Sequence, residues 1–304
     1  MVCRMAQVIL YFDSQINSFK FLFCKIINGK QMLVAARKII FLLVLGTLLN
    51  CNPKNSHLEE TSFKFPYIFN SLYVDTINSK LYKEESISEV FPIFAGKFKF
   101  HDSIDVNPKT IQKVKQDDYL GGYSSIGLSD SFDVNGLEIY IDYDKSVQYT
   151  RFFEYDSTNY IYYPVYFVNS TNSKKVFFGK DRYVFGIQEA RDKKEFGIWL
   201  PIESRGFDFC GNGHWGLIVH PKEYVVVLMK KYFGNYQTEM RVRFEVGENI
   251  FVSKPFTGRI NEKQFSIKDS SFIQKELLET NGIAASWLFY GAVPKEEYWA
   301  GKSF

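Results

Sequence analysis

The feature that most limits what this chain can become is a two-residue rhythm of apolar side chains. In "LEIYIDY" (137–143), Leu137, Ile139, Ile141 and Tyr143 fall on one face, with Glu138, Tyr140 and Asp142 on the other. "MRVRFEV" (240–246) sets Met240, Val242, Phe244 and Val246 against Arg241, Arg243 and Glu245, and "GKFKFHDSI" (96–104) alternates Phe98 and Phe100 with Lys97, Lys99 and His101. Successive side chains of a strand point to opposite sides, so each stretch reads as a half-buried β-strand. The outer face of 240–246 reads as solvated. Similar stretches recur over 149–155, 162–169, 175–178, 183–188, 196–202, 215–220, 224–232 and 250–253. Between them lie the turn-forming "DSTN", "NSTNS", "ARDKKE" and "VGEN". "YVVVLM" (224–229) is apolar on both faces and is the expected central strand.

Strands at intervals of about 8–12 residues imply an all-β fold of antiparallel sheets. Residues 160–267 have the size of one immunoglobulin-like β-sandwich, by analogy only, because the Cys…Trp…Cys spacing is missing. Residues 62–155 are expected to form a second β unit before it, with "DSTN" (156–159) as the border. One helix is expected within 268–304. Ser271-Phe-Ile-Gln274 fits a capping box, Phe272, Ile273, Leu277 and Leu278 share a face, and Asn281-Gly282 supplies a stop. Thirty Phe and 20 Tyr against five Met agree with strands rather than a helical bundle.

The N-terminal fifty residues have a different character. Six of the 37 basic residues but one of the 34 acidic residues lie before Cys51, which leaves 31 basic against 33 acidic in the rest. A body without a positive field is poorly suited to nucleic acid. Arg37 and Lys38 precede eleven apolar or small residues, 39–49. As a helix this run would cover about 16 Å at 1.5 Å per residue, too little for a hydrocarbon core of about 30 Å and fitting for a secretory signal. At its end, Leu48-Leu49-Asn50-Cys51 resembles the lipobox of bacterial lipoproteins, with Asn50 where that family usually has a smaller residue.

The resemblance implies a diacylglycerol thioether on Cys51, which becomes the first residue of the mature protein. It also implies a polar tether over 51–61 and residence in a bacterial cell envelope, at the outer membrane rather than the inner. Met32 is the better-placed initiator, so 1–31 would precede the signal. Loss of Cys3 and Cys24 with the leader would leave Cys210 alone, with no disulfide framework. The function expected on this reading is a membrane-tethered, non-catalytic binding or envelope-structural role. Its partners would be the membrane and a glycan or envelope protein.

Chemistry-bearing motifs are sparse. Gly211-x-Gly213-x-x-Gly216 spells a dinucleotide fingerprint, but a strand, a turn and another strand follow it where a helix is required, so no nucleotide is expected. His214 and His220 on one strand would stand about 20 Å apart and could not share one ion. Cys210 could meet His214 only through a tight loop and would still need partners such as Asp208 or Glu203, so no metal or other cofactor is expected. "GGYSSIG" (121–127) misses the nucleophile elbow at both Ser124 and Ser125. The competing reading is an enzyme acting on polysaccharide, with Glu203 and Asp208, or Asp117-Asp118, as the carboxylates. No catalytic residue is assigned. For ligand binding the aromatic candidates are Trp215 and Trp299, while Trp199 reads as core.

Overall fold

The computed structural model describes residues 62–69, 79–80, 82–105, 116–121, 136–149, 159–194, 197–208, 211–247 and 249–298. Contacts group the chain into two units, Met1–Glu60 and Thr61–Phe304, and every described residue belongs to the second. Cys51 with the expected signal and tether around it, Cys210, Ser124, Ser125 and Trp299 lie outside the described residues.

The protein is all-β, with strands numbered here in chain order. The largest sheet holds β2 (Ser79–Lys80), β4 (Ile93–Lys99), β7 (Leu137–Ile141), β8 (Val147–Tyr149), β9 (Asn159–Asn169) and β15 (Glu223–Lys230). Its order is β2-β9-β15-β4, with β7 and β8 also pairing along β9. A five-stranded sheet runs β12 (Ile198–Pro201), β11 (Gly186–Asp192), β16 (Tyr236–Val246), β17 (Asn249–Val252), with β18 (Phe256–Ile260) also on β16. A third sheet places β14 (His214–Val219) between β10 (Lys175–Lys180) and β6 (Tyr119–Gly121). Two small pairs complete it: β1 (Ile68–Phe69) with β5 (Ile104–Asp105), and β3 (Ser88–Val90) with β13 (Glu203–Arg205). Most pairing is antiparallel, but β1–β5, β3–β13 and β2–β9 are parallel. Their partners lie far apart in sequence, where no hairpin signal exists to announce them.

The central strand is where the sequence places it. In β15, Tyr224, Val226 and Leu228 enter one apolar cluster and Val225, Val227 and Met229 another. Neighbouring β9 does the same, with Tyr162, Tyr166 and Val168 on one side and Tyr163, Val165 and Phe167 on the other. Phe167 meets Phe244 of β16 with ring centroids 4.8 Å apart, which joins the six-stranded sheet to the five-stranded one. The strands on either side of 156–159 pair with each other, β4 with β15 and both β7 and β8 with β9. The proposed border therefore does not separate two sheets. Alternation within a strand reports its faces but not its neighbours.

The C-terminal helix α1 (Phe272–Glu279) begins as expected at Ser271, whose side chain accepts the Gln274 N–H. Gln274 Oε1 reaches back to the Ser270 N–H (2.8 Å), one residue earlier than a standard capping box. At the other end the Gly282 N–H bonds the Leu277 carbonyl (2.7 Å) and the Asn281 N–H the Leu278 carbonyl (3.2 Å), the paired bonds of a Schellman stop. A second short helix, α2 (Ala285–Leu288), was not anticipated. It is four residues of "ASWL", too short to show a helical period. Both helices bury Leu277, Ala284, Leu288 and Phe289 against Phe185 and Ile187 of the β11 region.

Cross-strand glycines admit two of the aromatics. Gly179 faces Trp215 and Gly186 faces Phe244 in register, and a Cβ at either glycine would lie 2.3 Å from the ring. Gly179→Ala should therefore push the indole out of its seat and cost about 1–3 kcal/mol, read as a lower urea midpoint with unchanged m-value. An unchanged midpoint would show that the ring does not depend on the missing side chain.

Candidate functional site

Glu203, the first residue of β13, is fully buried. Its Oε1 accepts hydrogen bonds from Tyr232 Oη (2.5 Å) and Gln188 Nε2 (2.9 Å), and its Oε2 accepts the Gln188 N–H (2.7 Å). Gln188 in turn donates to the Lys230 carbonyl (2.9 Å) and accepts from Tyr163 Oη (2.8 Å). Burial pushes the Glu203 carboxyl above its ordinary value, against the opposing pull of Tyr232, Lys230 and Gln188. A carboxylate with both oxygens committed inside a core cannot touch a glycosidic bond. It acts instead as a polar bolt joining β11, β13 and residue 232, and loss of it would leave three donors unsatisfied.

Asp208 belongs to a different group. Its Oδ1 lies 2.5 Å from Lys180 Nζ, and Oδ2 accepts from Tyr183 Oη at 2.5 Å. His214 stacks on Phe185 (centroids 5.6 Å apart), and burial, then Lys180 and Arg205, hold its imidazole below the ordinary value, favouring the neutral ring. Trp215 is half-buried beside it. Its ring packs on Phe94 at 4.7 Å and its Nε1–H bonds the Asp181 carbonyl at 3.0 Å, so its polar edge is already used. The structure does not bring Glu203 and Asp208 together as a catalytic pair.

His220 follows β14 at the end opposite His214 and has its own partners. Its Nε2 lies 3.0 Å from Asp118 Oδ1, while Lys97 Nζ sits between Asp118 Oδ2 and Glu223 Oε2, 2.8 Å from each, and donates to the Ile218 carbonyl. Burial raises Asp118, but the hydrogen bonds from Lys97 and His220 outweigh it and hold the carboxyl below its ordinary value. Lys97 thus fills the centre of this acidic group. Its neighbour Asp117 is exposed. Among the described residues no group of three or more His, Cys, Asp or Glu is arranged to hold a metal ion.

A concave surface occurs elsewhere, at the free edge of the five-stranded sheet. An open cleft of about 400 Å³ runs between residues 198–200 of β12 and residues 293–297. Trp199 lines it, with the Arg241 guanidinium 4.4 Å from the indole centroid. Arg241 is held there by the buried Glu189, at 2.8 and 3.0 Å, and Arg243 approaches the same carboxylate at 3.1 Å. The outer face of β16 is therefore not simply solvated: its arginines are engaged with an internal carboxylate, and Arg243 also donates to the Tyr290 carbonyl (3.3 Å). The opposite wall is fixed by Lys295, whose Nζ lies 2.6 Å from Asp192. Glu296 and Glu297 stand exposed on the rim, and Ile198 and Val293 add exposed apolar surface.

No family model, curated protein or solved structure matches this chain. The site must therefore be read from its own geometry. Sequence reasoning passed over Trp199, because "IWLP" reads as one apolar run. The one signal within it was Pro201, which suits an edge strand and so a strand with an open side.

The Lys295–Asp192 pair generates a pH test of the cleft wall. Burial works to raise Asp192, but Lys295 and the Lys194 N–H prevail and set its carboxyl below the ordinary 3.8. A lowered folded-state pKa adds stability that is present above the unfolded value and fades as pH falls through the folded one. Lys295→Met should cost about 3 kcal/mol at pH 7. The gap between parent and variant should narrow steadily below pH 3.8, measured by urea unfolding across the acid range. A gap of equal size at both ends of that range would refute this role.

Proposed function

We propose that the chain is a lipid-anchored, non-catalytic binding module of a bacterial cell envelope, and that the cleft beside Trp199 receives a glycan. The carrying observation is the cleft itself: an indole braced on one side by Arg241, with the carboxylates of Glu296 and Glu297 on the rim. Sugar rings present apolar C–H faces that pack on indoles, and hydroxyls that donate to carboxylates. The burial of Glu203, and its separation from Asp208 by partner, favour binding over hydrolysis by that pair. Anchoring rests on the lipobox-like Leu48-Leu49-Asn50-Cys51. Two acyl chains hold a membrane firmly where one binds only marginally.

Two measurements test the two halves of the proposal. Mass spectrometry of the native protein should find a diacylated Cys51 as the first residue, and Cys51→Ala should remove the modification. An unmodified Cys51 within an uncleaved chain would end the anchoring reading. For the cleft, the acylated full chain displayed to a panel of envelope glycans should retain at least one. Trp199→Ala should weaken that binding about tenfold, the loss of one stacking contact. Retention that survives Trp199→Ala but is lost in Trp215→Phe would place the ligand at the other indole. Turnover of a bound glycan would replace the binding module with an enzyme.

A further inference from the structure

The first described segment carries an unusual surface. Residues 62–69 read "SFKFPYIF", with an aromatic at every odd position from 63 to 69. Phe63 turns inward, its ring 5.0 Å from Tyr140 and 5.3 Å from Tyr224. The next three are about half-exposed or more. Phe65 is 50% exposed, one side of its ring 5.5 Å from the buried Tyr166. Tyr67 is 67% exposed and Phe69 49%, while Ile68 between the last two is 2% exposed. From 65 to 69 the residue fully buried is one isoleucine and the residues offered to solvent are three aromatics, the reverse of the usual sorting. The segment is held by β1–β5 pairing and by the Ile104 N–H on the Tyr67 carbonyl (2.8 Å), so the row has a fixed backbone. Tyr67 and Phe69 pack edge to face at 4.9 Å, and the Lys145 ammonium stands 5.9 Å from the Tyr67 ring.

We infer that Phe65, Tyr67 and Phe69 form a contact strip for a lipid bilayer surface, laid down at its interface. This rests on the proposal that Cys51 is acylated. The choice of a membrane as occupant follows from where the strip lies on the chain. Phe65 is fourteen residues after Cys51, a length that cannot extend beyond about 50 Å, so an anchored chain carries the strip within reach of its own bilayer. Aromatic rings favour the membrane–water interface, and a phenol can keep its hydroxyl at the polar level while its ring is covered. Lys64 and Lys145 can extend their ammonium groups outward from the same zone, and Asp105, the partner of Phe69, offsets one of them. The charge left over among these groups is small, so a zwitterionic bilayer suffices and no anionic lipid is required. Tethering makes the contact intramolecular, so three rings suffice where a free protein would need more.

The test is Tyr67→Trp in the full chain, purified and placed in phosphatidylcholine vesicles, its emission read as the difference from the parent. The expected result is a blue-shifted emission quenched by phosphatidylcholine brominated on its acyl chains. A water-like emission, quenched by aqueous iodide and untouched by the brominated lipid while the chain remains vesicle-bound, would overturn the inference. So would a blue shift that appears without lipid and grows with protein concentration, because the strip would then be a contact between copies. Mass spectrometry of Cys51 on the same sample separates the two readings. If that cysteine is unmodified, anchoring fails by itself. Vesicles added to the soluble full chain then judge the strip by the same quenching, whose presence supports the contact and whose absence refutes it.

Discussion

Everything in this fold depends on two adjacent strands that have no solvent face. β9 and β15 are hydrogen-bonded to each other over Tyr162–Lys230 through Val168–Tyr224, and both bury alternate side chains on each side. Water is excluded from their backbone as well, so every ladder bond must be made within the sheet. Each fully buried Val, Leu or aromatic there contributes about 1.5–3 kcal/mol relative to an exposed one, which outweighs the modest propensity differences between residue types. The other sheets are then obliged to cover these two faces, and the Phe167–Phe244 contact shows how the five-stranded sheet does so.

Buried polar groups are costly unless partnered, and although Tyr166 Oη, Ser204 Oγ and Gln264 Oε1 find no partner among the described residues, the buried carboxylates do. Glu203 illustrates the rule: three donors converge on its two oxygens, and Gln188 relays the network to Tyr163 and to the Lys230 carbonyl. Glu189 between Arg241 and Arg243 is a second case, and Asp192 with Lys295 a third. In each, a residue type often associated with catalysis is spent on joining segments distant in sequence. Glu189 also holds Arg241 against the indole of Trp199, so the aromatic wall of the cleft is seated on an ion pair.

The strands were legible because their alternation is local. Residues 137–141, 175–178, 224–229 and 240–246 carry their faces in their own order, and helix α1 carries its cap at Ser271 and its stop at Asn281-Gly282. Partnership was not legible. Nothing within "SEV" at 88–90 or "ESR" at 203–205 announces that they run parallel to each other. The same limit applies to sites. Glu203 reads as a free carboxylate until Gln188 and Tyr232 are known to surround it, and Arg241 as a solvated face until Glu189 is placed opposite. Trp199 was hidden inside an apolar run, whereas the odd-numbered aromatics of 63–69 were visible in the text of the chain, and only their burial separates the inward Phe63 from the exposed Phe65, Tyr67 and Phe69.

The register of β4 against β15, which pairs Lys99 with Glu223, has a consequence for the order of events during synthesis. An early strand must wait for a late one, and Ser88 of β3 waits likewise for Glu203 of β13. Closing loops of that length is entropically slow, and a chain dominated by such pairings lingers unfolded. While 223–230 is still in the ribosome, the largest sheet lacks the strand that joins β4 to β9. β4 is thus left without its partner in that sheet until the last third of the chain has been made, and the largest sheet closes late by topology alone.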